Sequence, residues 1–408
     1  MIKYSEKIKR LIENHGKPPR EVYFDNENSG YVPREVVDAV RKYYEEIGFG
    51  NPAITHLKGW EALEAIYSAK EIVAETIGSK NPDEIVFTHS GTESNNLAIA
   101  GTLLTRRKQG GKVIVSAIEH LSVLNTARFY ANLLGYKIIV LPVDREGFID
   151  IEFLKTLLDK DVVLVSIQVV NHEIGVIQPY EEIAKVVKDK SEDIVLHMDA
   201  ADAYGWVPID VGKLGVDLLT ISSHKINGPR GVGVLYVKEG VVLEPPIKGQ
   251  HSVESLWPGV ENTPLIHGFR KAVEILFRDV DKRISYVRGL RDRLFDGILN
   301  NIDDVLVNGP LGDKRVANNV NVSFLKVEGE AITVELSLRG IYVSSGSACT
   351  SRVLEPSHVL LAIGRKHEEA HGSILFKLTQ YHTVEDIDYT LSILPEAIGR
   401  LRKISSWK

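Results

Sequence analysis

The sequence predicts an α/β fold: a large, mostly parallel sheet covered on both faces by helices, followed by a smaller α+β unit. Six short apolar runs lead there first. Ile85–Thr88, Lys112–Ser116, Lys137–Leu141, Val162–Ile167, Ile194–Met198 and Leu218–Ser222 are separated mostly by helix-length periodic segments, the pattern of strand–helix–strand units. Their near-continuous apolar character fits strands buried on both faces. After Pro264 the pattern changes to a long helical stretch, Ile266 to Leu299, then to strands at Asn319–Phe324, Gly340–Val343 and Ser373–Phe376, and a closing helix over Val384–Lys403. The division predicted is a large unit over 26–265 and a smaller one formed by 1–25 with 266–408. The N-terminal helix is expected to pack on the smaller unit.

Composition narrows the function. With 408 residues, 44% of them apolar, the chain can bury a substantial core. Its net charge of −6 is scattered, with no basic run that would mark a nucleic-acid or membrane partner. No stretch approaches the length of a membrane span and the charged N-terminus lacks a signal-like apolar region, so a cytoplasmic protein is expected. The single cysteine, Cys349, excludes an intramolecular disulfide and leaves one thiol to be accounted for.

Lys225 supplies the first chemical reading. It follows the apolar run ending at Ser222 and precedes Asn227-Gly-Pro-Arg-Gly-Val-Gly233, with Asp199 lying 26 residues upstream at another strand end. A lysine so placed can bond to the aldehyde of pyridoxal phosphate (PLP), and a carboxylate at Asp199 can keep the pyridine nitrogen protonated so that the ring accepts electrons. The turn Thr88-His-Ser-Gly-Thr-Glu-Ser-Asn-Asn96 leads from a strand into a helix, whose N-terminus suits the phosphate. There Gly91 permits close approach and Thr92 offers a hydroxyl. Ser222 and His224 belong to the same strand-end pocket. His120, at another strand end, is placed to stack on a ring or move protons.

The segments Gly-Phe-Gly-Asn-Pro-Ala (48–53), Gly-Thr-Glu-Ser-Asn-Asn (91–96), Asn-His-Glu-Ile-Gly-Val (171–176), Ser-His-Lys-Ile-Asn-Gly-Pro (223–229) and Ser-Ser-Gly-Ser-Ala-Cys-Thr-Ser (344–351) resemble the cysteine desulfurases of the class V aminotransferase group. The resemblance runs from about Val22 to Leu401. It implies a fold-type I PLP enzyme with a seven-stranded sheet in its large domain, acting as a homodimer. Such an enzyme takes sulfur from L-cysteine, leaves alanine, and holds the sulfur as a persulfide for an acceptor protein or iron–sulfur scaffold. It further implies that Lys225 binds the cofactor covalently, Asp199 pairs with its ring nitrogen and His120 stacks on the ring. Gly91, Thr92, Ser222 and His224 then serve the phosphate, and Cys349 accepts the sulfur. The small residues around Cys349 agree with a reactive, reachable thiol.

Several positions depart from the family pattern. The family's substrate-binding arginine is Leu375, which cannot grip a carboxylate; Lys377, on the same strand face, and Arg352, beside the cysteine loop, are the candidate substitutes. His172 and Asp202 stand where the family has Asn and Gln next to the cofactor, and are expected to form a hydrogen-bonded pair. Val260 removes the phosphate hydroxyl lent between subunits, and Asn26-Glu-Asn-Ser-Gly30 replaces an Ala-Thr-Thr loop, making Asn26 a candidate substrate contact. These changes keep two alternatives open: a PLP lyase or transferase acting on another small amino acid, and a non-catalytic sulfur carrier or iron–sulfur assembly partner. His367-Glu-Glu-Ala-His371 matches a zinc-protease spacing, but Gly372 and the strand after it argue against the required helix, and no metal site is expected.

Overall fold

The computed structural model describes residues 4–16, 18–345 and 356–405. Cys349 and Arg352 lie outside the described residues. A seven-stranded sheet forms the centre, with spatial order Ile85–Thr88, Gly233–Val237, Leu218–Ser222, Val195–Asp199, Val162–Ser166, Lys112–Ser116 and Lys137–Leu141. All neighbours are parallel except Gly233–Val237, which runs antiparallel to both strands beside it. Four of the predicted runs, at 85–88, 162–166, 195–199 and 218–222, are buried at every position. That is the reason they read as unbroken apolar segments rather than alternating ones.

Inside this sheet one buried histidine ties three strands together. His197 shares a hydrogen bond with Ser166 Oγ through Nδ1 at 2.7 Å and another with Thr220 Oγ1 through Nε2 at 3.0 Å. Burial lowers its pKa to about 3, so it stays neutral at ordinary pH. The side chain opposite in the strand pleat is Met198, and the next to share the His197 face is Asp199. The network therefore fixes the register of the strand that delivers Asp199 to the site.

A second, antiparallel sheet comprises Ser344–Ser345, Ser373–Lys377, Asn319–Phe324 and Val305–Val307 in that order. The long helical stretch predicted from Ile266 is two helices, Thr263–Phe277 and Val280–Asn301, interrupted at Arg278–Asp279. Their packing explains the break. The first lies on the helices Arg34–Lys42 and Leu57–Ile77 beside the large sheet, and the second on the closing helix Val384–Ile404 and the small sheet.

The N-terminal helix, Tyr4–His15, differs from expectation: residues 5–16 are exposed along their whole length. The link to the small unit comes instead from Val22–Tyr23, which pairs in parallel with Ile341–Tyr342. Asp25 also bridges to Lys377, and Lys377 N donates to Phe24 O at 2.9 Å. His367–His371 does form a short helix, contrary to the reading of Gly372. Among the described residues, however, no three His, Cys, Asp or Glu side chains are grouped to hold a metal.

Candidate active site

A cavity of about 260 Å³ opens at the carboxyl ends of the large-sheet strands, where open α/β sheets bind ligands. The sequence-predicted residues Gly91, Thr92, His120, His172, Asp199, Asp202, Ser222, His224 and Lys225 all line it. So do Glu27, Asn95, Glu173, Ser357, His358 and Leu375, of which only Leu375 had been singled out as a site position from sequence.

One end of the cavity is a helix N-terminus. Ser90 caps the helix Gly91–Arg106 by accepting from Glu93 N, and the first-turn N–H groups face outward as in any helix start. Gly91 has a steric reason to be glycine, since a Cβ there would lie 3.0 Å from Ser222 Cβ. Ser222 Oγ in turn lies 3.0 Å from His224 Nδ1. Small side chains, hydroxyls and backbone amides thus form a cradle suited to a phosphate.

Another part of the lining presents Asp199. Its Oδ1 accepts from Ala201 N at 2.9 Å and its Oδ2 from Asn95 Nδ2 at 2.8 Å. Burial raises its pKa against these hydrogen bonds and the distant Lys225 charge, leaving a carboxylate that a protonated ring nitrogen would complete. Asn95 Nδ2 also donates to Ser122 Oγ at 2.9 Å, and Ser122 contacts His120 Nδ1 through its hydroxyl at 2.7 Å and its backbone N–H at 3.1 Å. Because Nδ1 accepts the backbone N–H, the neutral ring carries its proton on Nε2. Burial, helped by Lys225, lowers the His120 pKa to about 4. The same cause, with His120 adding to it, holds His172 well below the ordinary histidine range. The two rings meet edge to face at 5.2 Å.

The lysine side is a closed ring of charges. Lys225 Nζ donates to Glu27 Oε1 and lies 3.1 Å from Asp202 Oδ2. Lys377 Nζ donates to Asp202 Oδ1 at 2.5 Å and lies 3.2 Å from Glu27 Oε2. Although burial alone would raise it, the Asp202 pKa is held well below the usual carboxylate range by Lys225 and Lys377. That corrects the expected His172–Asp202 pair: both Asp202 oxygens serve lysines, and His172 Nδ1 has no hydrogen-bond partner. Lys377 shares the strand face of Leu375 as predicted, but its ammonium sits beneath the cavity rather than on its wall.

Asn26 also differs from its predicted role. Its amide donates to Tyr23 O and Lys377 O, both at 2.9 Å, and its Oδ1 accepts from Tyr31 N at 3.0 Å. Asn26 therefore holds the loop, and Glu27 beside it enters the cavity. Gly30 allows this approach, because a Cβ there would fall 2.0 Å from the His224 carbonyl oxygen. Val260 is exposed and lines a separate cavity.

Ser357 and His358 form a further part of the rim. Ser357 caps the helix His358–Ala362 and donates to Glu173 Oε2 at 2.6 Å. Burial pushes the Glu173 carboxyl up to about 8, so it is protonated at neutral pH. His358 Nε2 donates to Glu119 O at 2.9 Å and turns its ring toward the cavity.

Comparisons with known proteins agree with this geometry. The family model for class V aminotransferases matches residues 22–390. The chain belongs to this family. A cysteine desulfurase IscS of Dictyoglomus turgidum is 45% identical over 95% of this chain and 97% of its own length. Cysteine desulfurase IscS 1 of Archaeoglobus fulgidus is 44% identical, covering 94% of this chain and 98% of its own. Among solved structures, a NifS-like protein superimposes with a TM-score of 0.86 at 34% identity, over 94% of this chain and 100% of the other. SspA in complex with cysteine gives 0.77 at 34% identity, over 88% and 99%. The fold is thus that of the fold-type I PLP enzymes, and PLP is the cofactor that the cradle, Lys225 and Asp199 suit.

Proposed function

We propose that this chain is a PLP-dependent cysteine desulfurase that converts L-cysteine to alanine and passes the sulfur to Cys349. The observation that carries the reading is the convergence of Lys225, Asp199 and the Gly91 helix start on one cavity, in a chain 45% identical to a cysteine desulfurase over nearly its full length. When bound, the cofactor supplies an electron sink for the substrate carbanion. Asp199 would keep the ring nitrogen protonated, the helix start at Gly91 and Thr92 would hold the phosphate, and Ser222 and His224 would complete that end. His120 would serve the ring and presents its Nε2 proton to the cavity. Lys225, as a neutral amine, would move the Cα proton. The Cys349 thiolate then attacks the substrate sulfur: the carbon–sulfur bond breaks, a sulfur–sulfur bond forms, and the carbon takes a proton to become alanine.

The biological reading is a homodimer in the cytoplasm delivering sulfur to an acceptor protein or iron–sulfur scaffold. Among the described residues no helix is long and apolar enough to cross a membrane. Residues 26–265 act as the cofactor-binding part, and the N-terminal segment with the C-terminal part carries the cysteine loop. Arg352, next to Cys349, remains a candidate for the substrate carboxylate. A second reading, a PLP lyase or transferase on another small amino acid, is favoured by Leu375, which puts an apolar side chain where a guanidinium would bind that carboxylate.

The test is direct. The purified protein should be yellow, and Lys225→Ala should lose the cofactor band. L-Cysteine with a thiol acceptor should give alanine and sulfide in equal amounts, and Cys349→Ser should stop sulfur transfer while leaving the substrate-induced spectral change. Alanine formation unchanged in Cys349→Ser would favour the lyase.

A further inference from the structure

We propose that Glu27 receives the ammonium group of the substrate, so that recognition by the described wall of this pocket runs through the amine. The inference deepens the desulfurase reading and rests on it for the identity of the substrate. It stands on three observations.

Glu27 and Asp202 both contact the reacting nitrogen, but both Asp202 oxygens face lysines, whereas one Glu27 oxygen has no hydrogen bond. Its Oε1 accepts from Lys225 Nζ, and its Oε2 is buried without a hydrogen bond although Lys377 Nζ lies 3.2 Å away. It therefore has acceptor capacity left inside the cavity it lines. Substrate binding in a PLP enzyme exchanges two nitrogens at one carbon of the cofactor. Glu27, in contact with Nζ, therefore borders the path of the nitrogen that replaces it.

Among the described residues the substrate carboxylate has no matching partner. Among the described residues lining the cavity, Lys225 is the sole lysine or arginine, and it is the residue the cofactor engages. Lys377 lies beneath, 3% exposed, with its ammonium against Asp202 and Glu27. The strand position facing the cavity is Leu375, apolar and 3% exposed.

The exchange balances without any outside reagent. The substrate ammonium would give a proton to Glu27 and so arrive as the neutral amine that can displace Lys225. Lys225 would be released as the neutral amine, the form that can move the Cα proton, and the proton would stay on Glu27 until the exchange reverses. Lys377 is the counter-charge that keeps Glu27 an acceptor until that proton arrives.

The test titrates the cofactor-loaded protein with L-alanine, L-alaninamide and ethylamine, reading the cofactor absorbance; none has sulfur, so no desulfuration is involved. L-Alaninamide is expected to bind within a fewfold of L-alanine. Glu27→Gln should weaken both by about ten- to a hundredfold, the range of a hydrogen bond to a charged group. It should also make binding improve about tenfold per pH unit below the ligand's amine pKa, because the amine must then arrive already deprotonated. Glu27→Asp should restore much of the affinity and flatten that dependence. L-Alanine binding a hundredfold or more tighter than L-alaninamide to the wild type, or Glu27→Gln leaving affinity and pH dependence unchanged, overturns the proposal. The wild-type ratio needs no variant to fold. A protein that shows the expected analogue series yet forms no alanine or sulfide from L-cysteine sinks the desulfurase reading alone and keeps the role of Glu27.

Discussion

The two ends of the cavity are built on opposite principles. The end that suits the cofactor is made of backbone amides, hydroxyls, an amide side chain and neutral imidazoles, and its one carboxylate, Asp199, is held by neutral N–H donors. The lysine end is made of two buried ammonium groups facing two buried carboxylates. Neutral hydrogen-bonding groups cost little to preorganise and tolerate an absent ligand. Buried ions are stable only as a complete set, because removing one leaves another unpaired. The contrast teaches that substitutions at the first end should change binding, whereas those at the second should first change folding.

The largest expected effect breaks the charged end. Lys377→Met leaves Glu27 and Asp202 with one ammonium between them and should destabilise the cofactor-free protein by about 3–5 kcal/mol, measured by urea unfolding. The pair Lys377→Met with Asp202→Asn should recover most of the loss. Equal stability of Lys377→Met and wild type would show that the four charges are not a unit.

The neutral end should fail in acid. His197 has a folded pKa of about 3 and His120 and His224 of about 4, all below the unfolded histidine value of about 6.5. Between those values the unfolded chain binds protons that the folded one refuses, so their contribution is full above pH 6.5 and lost as pH falls toward 3. Each adds a slope of about 1.4 kcal/mol per pH unit across its own window. His197→Gln, which keeps a polar group in the same place, should remove one such share from the unfolding free energy measured against pH. An unchanged slope would place His197 outside the acid response.

The smallest effect tests the loop that joins the two ends. Asn26→Ala removes hydrogen bonds to Tyr23, Lys377 and Tyr31 and should cost about 1–3 kcal/mol. Cofactor binding, read from absorbance, should be little altered, since the cradle at Gly91 is built elsewhere.

How far the sequence could be read follows the same divide. Asp199, Ser222, Lys225 and Gly91 follow strand ends or helix starts that local apolar patterning locates, so spacing alone put them together. Glu27 was not legible. It meets Lys225 across 198 residues of chain, and the visible signal was Gly30, whose missing Cβ permits the approach. The pairing of Asp202 with Lys377 spans 175 residues; strand alternation placed Lys377 on the right face but could not say that its stem passes under the cavity. The partner first expected for Asp202, His172, was chosen because both depart from the family together, and the distant lysine proved the stronger neighbour. Ser357 and Glu173 escaped notice because a serine before a short helix reads simply as a cap. The break at Arg278–Asp279 was hidden because both flanking segments carry helical periodicity, and only the change of packing partner separates them.

The ring of charges also lies along a junction. Glu27 is carried by the segment stapled to the small-sheet strand through Asn26, and Lys377 belongs to that strand. Lys225 and Asp202 follow strands of the large sheet. Each side of the junction thus carries one cation and one anion, so its net charge is zero. Were the two sides to part, neither would expose an uncompensated ion, and the resistance would be that of two separating dipoles rather than of opposite monopoles. A seam so balanced can be tightly closed by electrostatics and still be opened by thermal motion, which is what a pocket needs if its reactant must enter and its product leave between the same two walls.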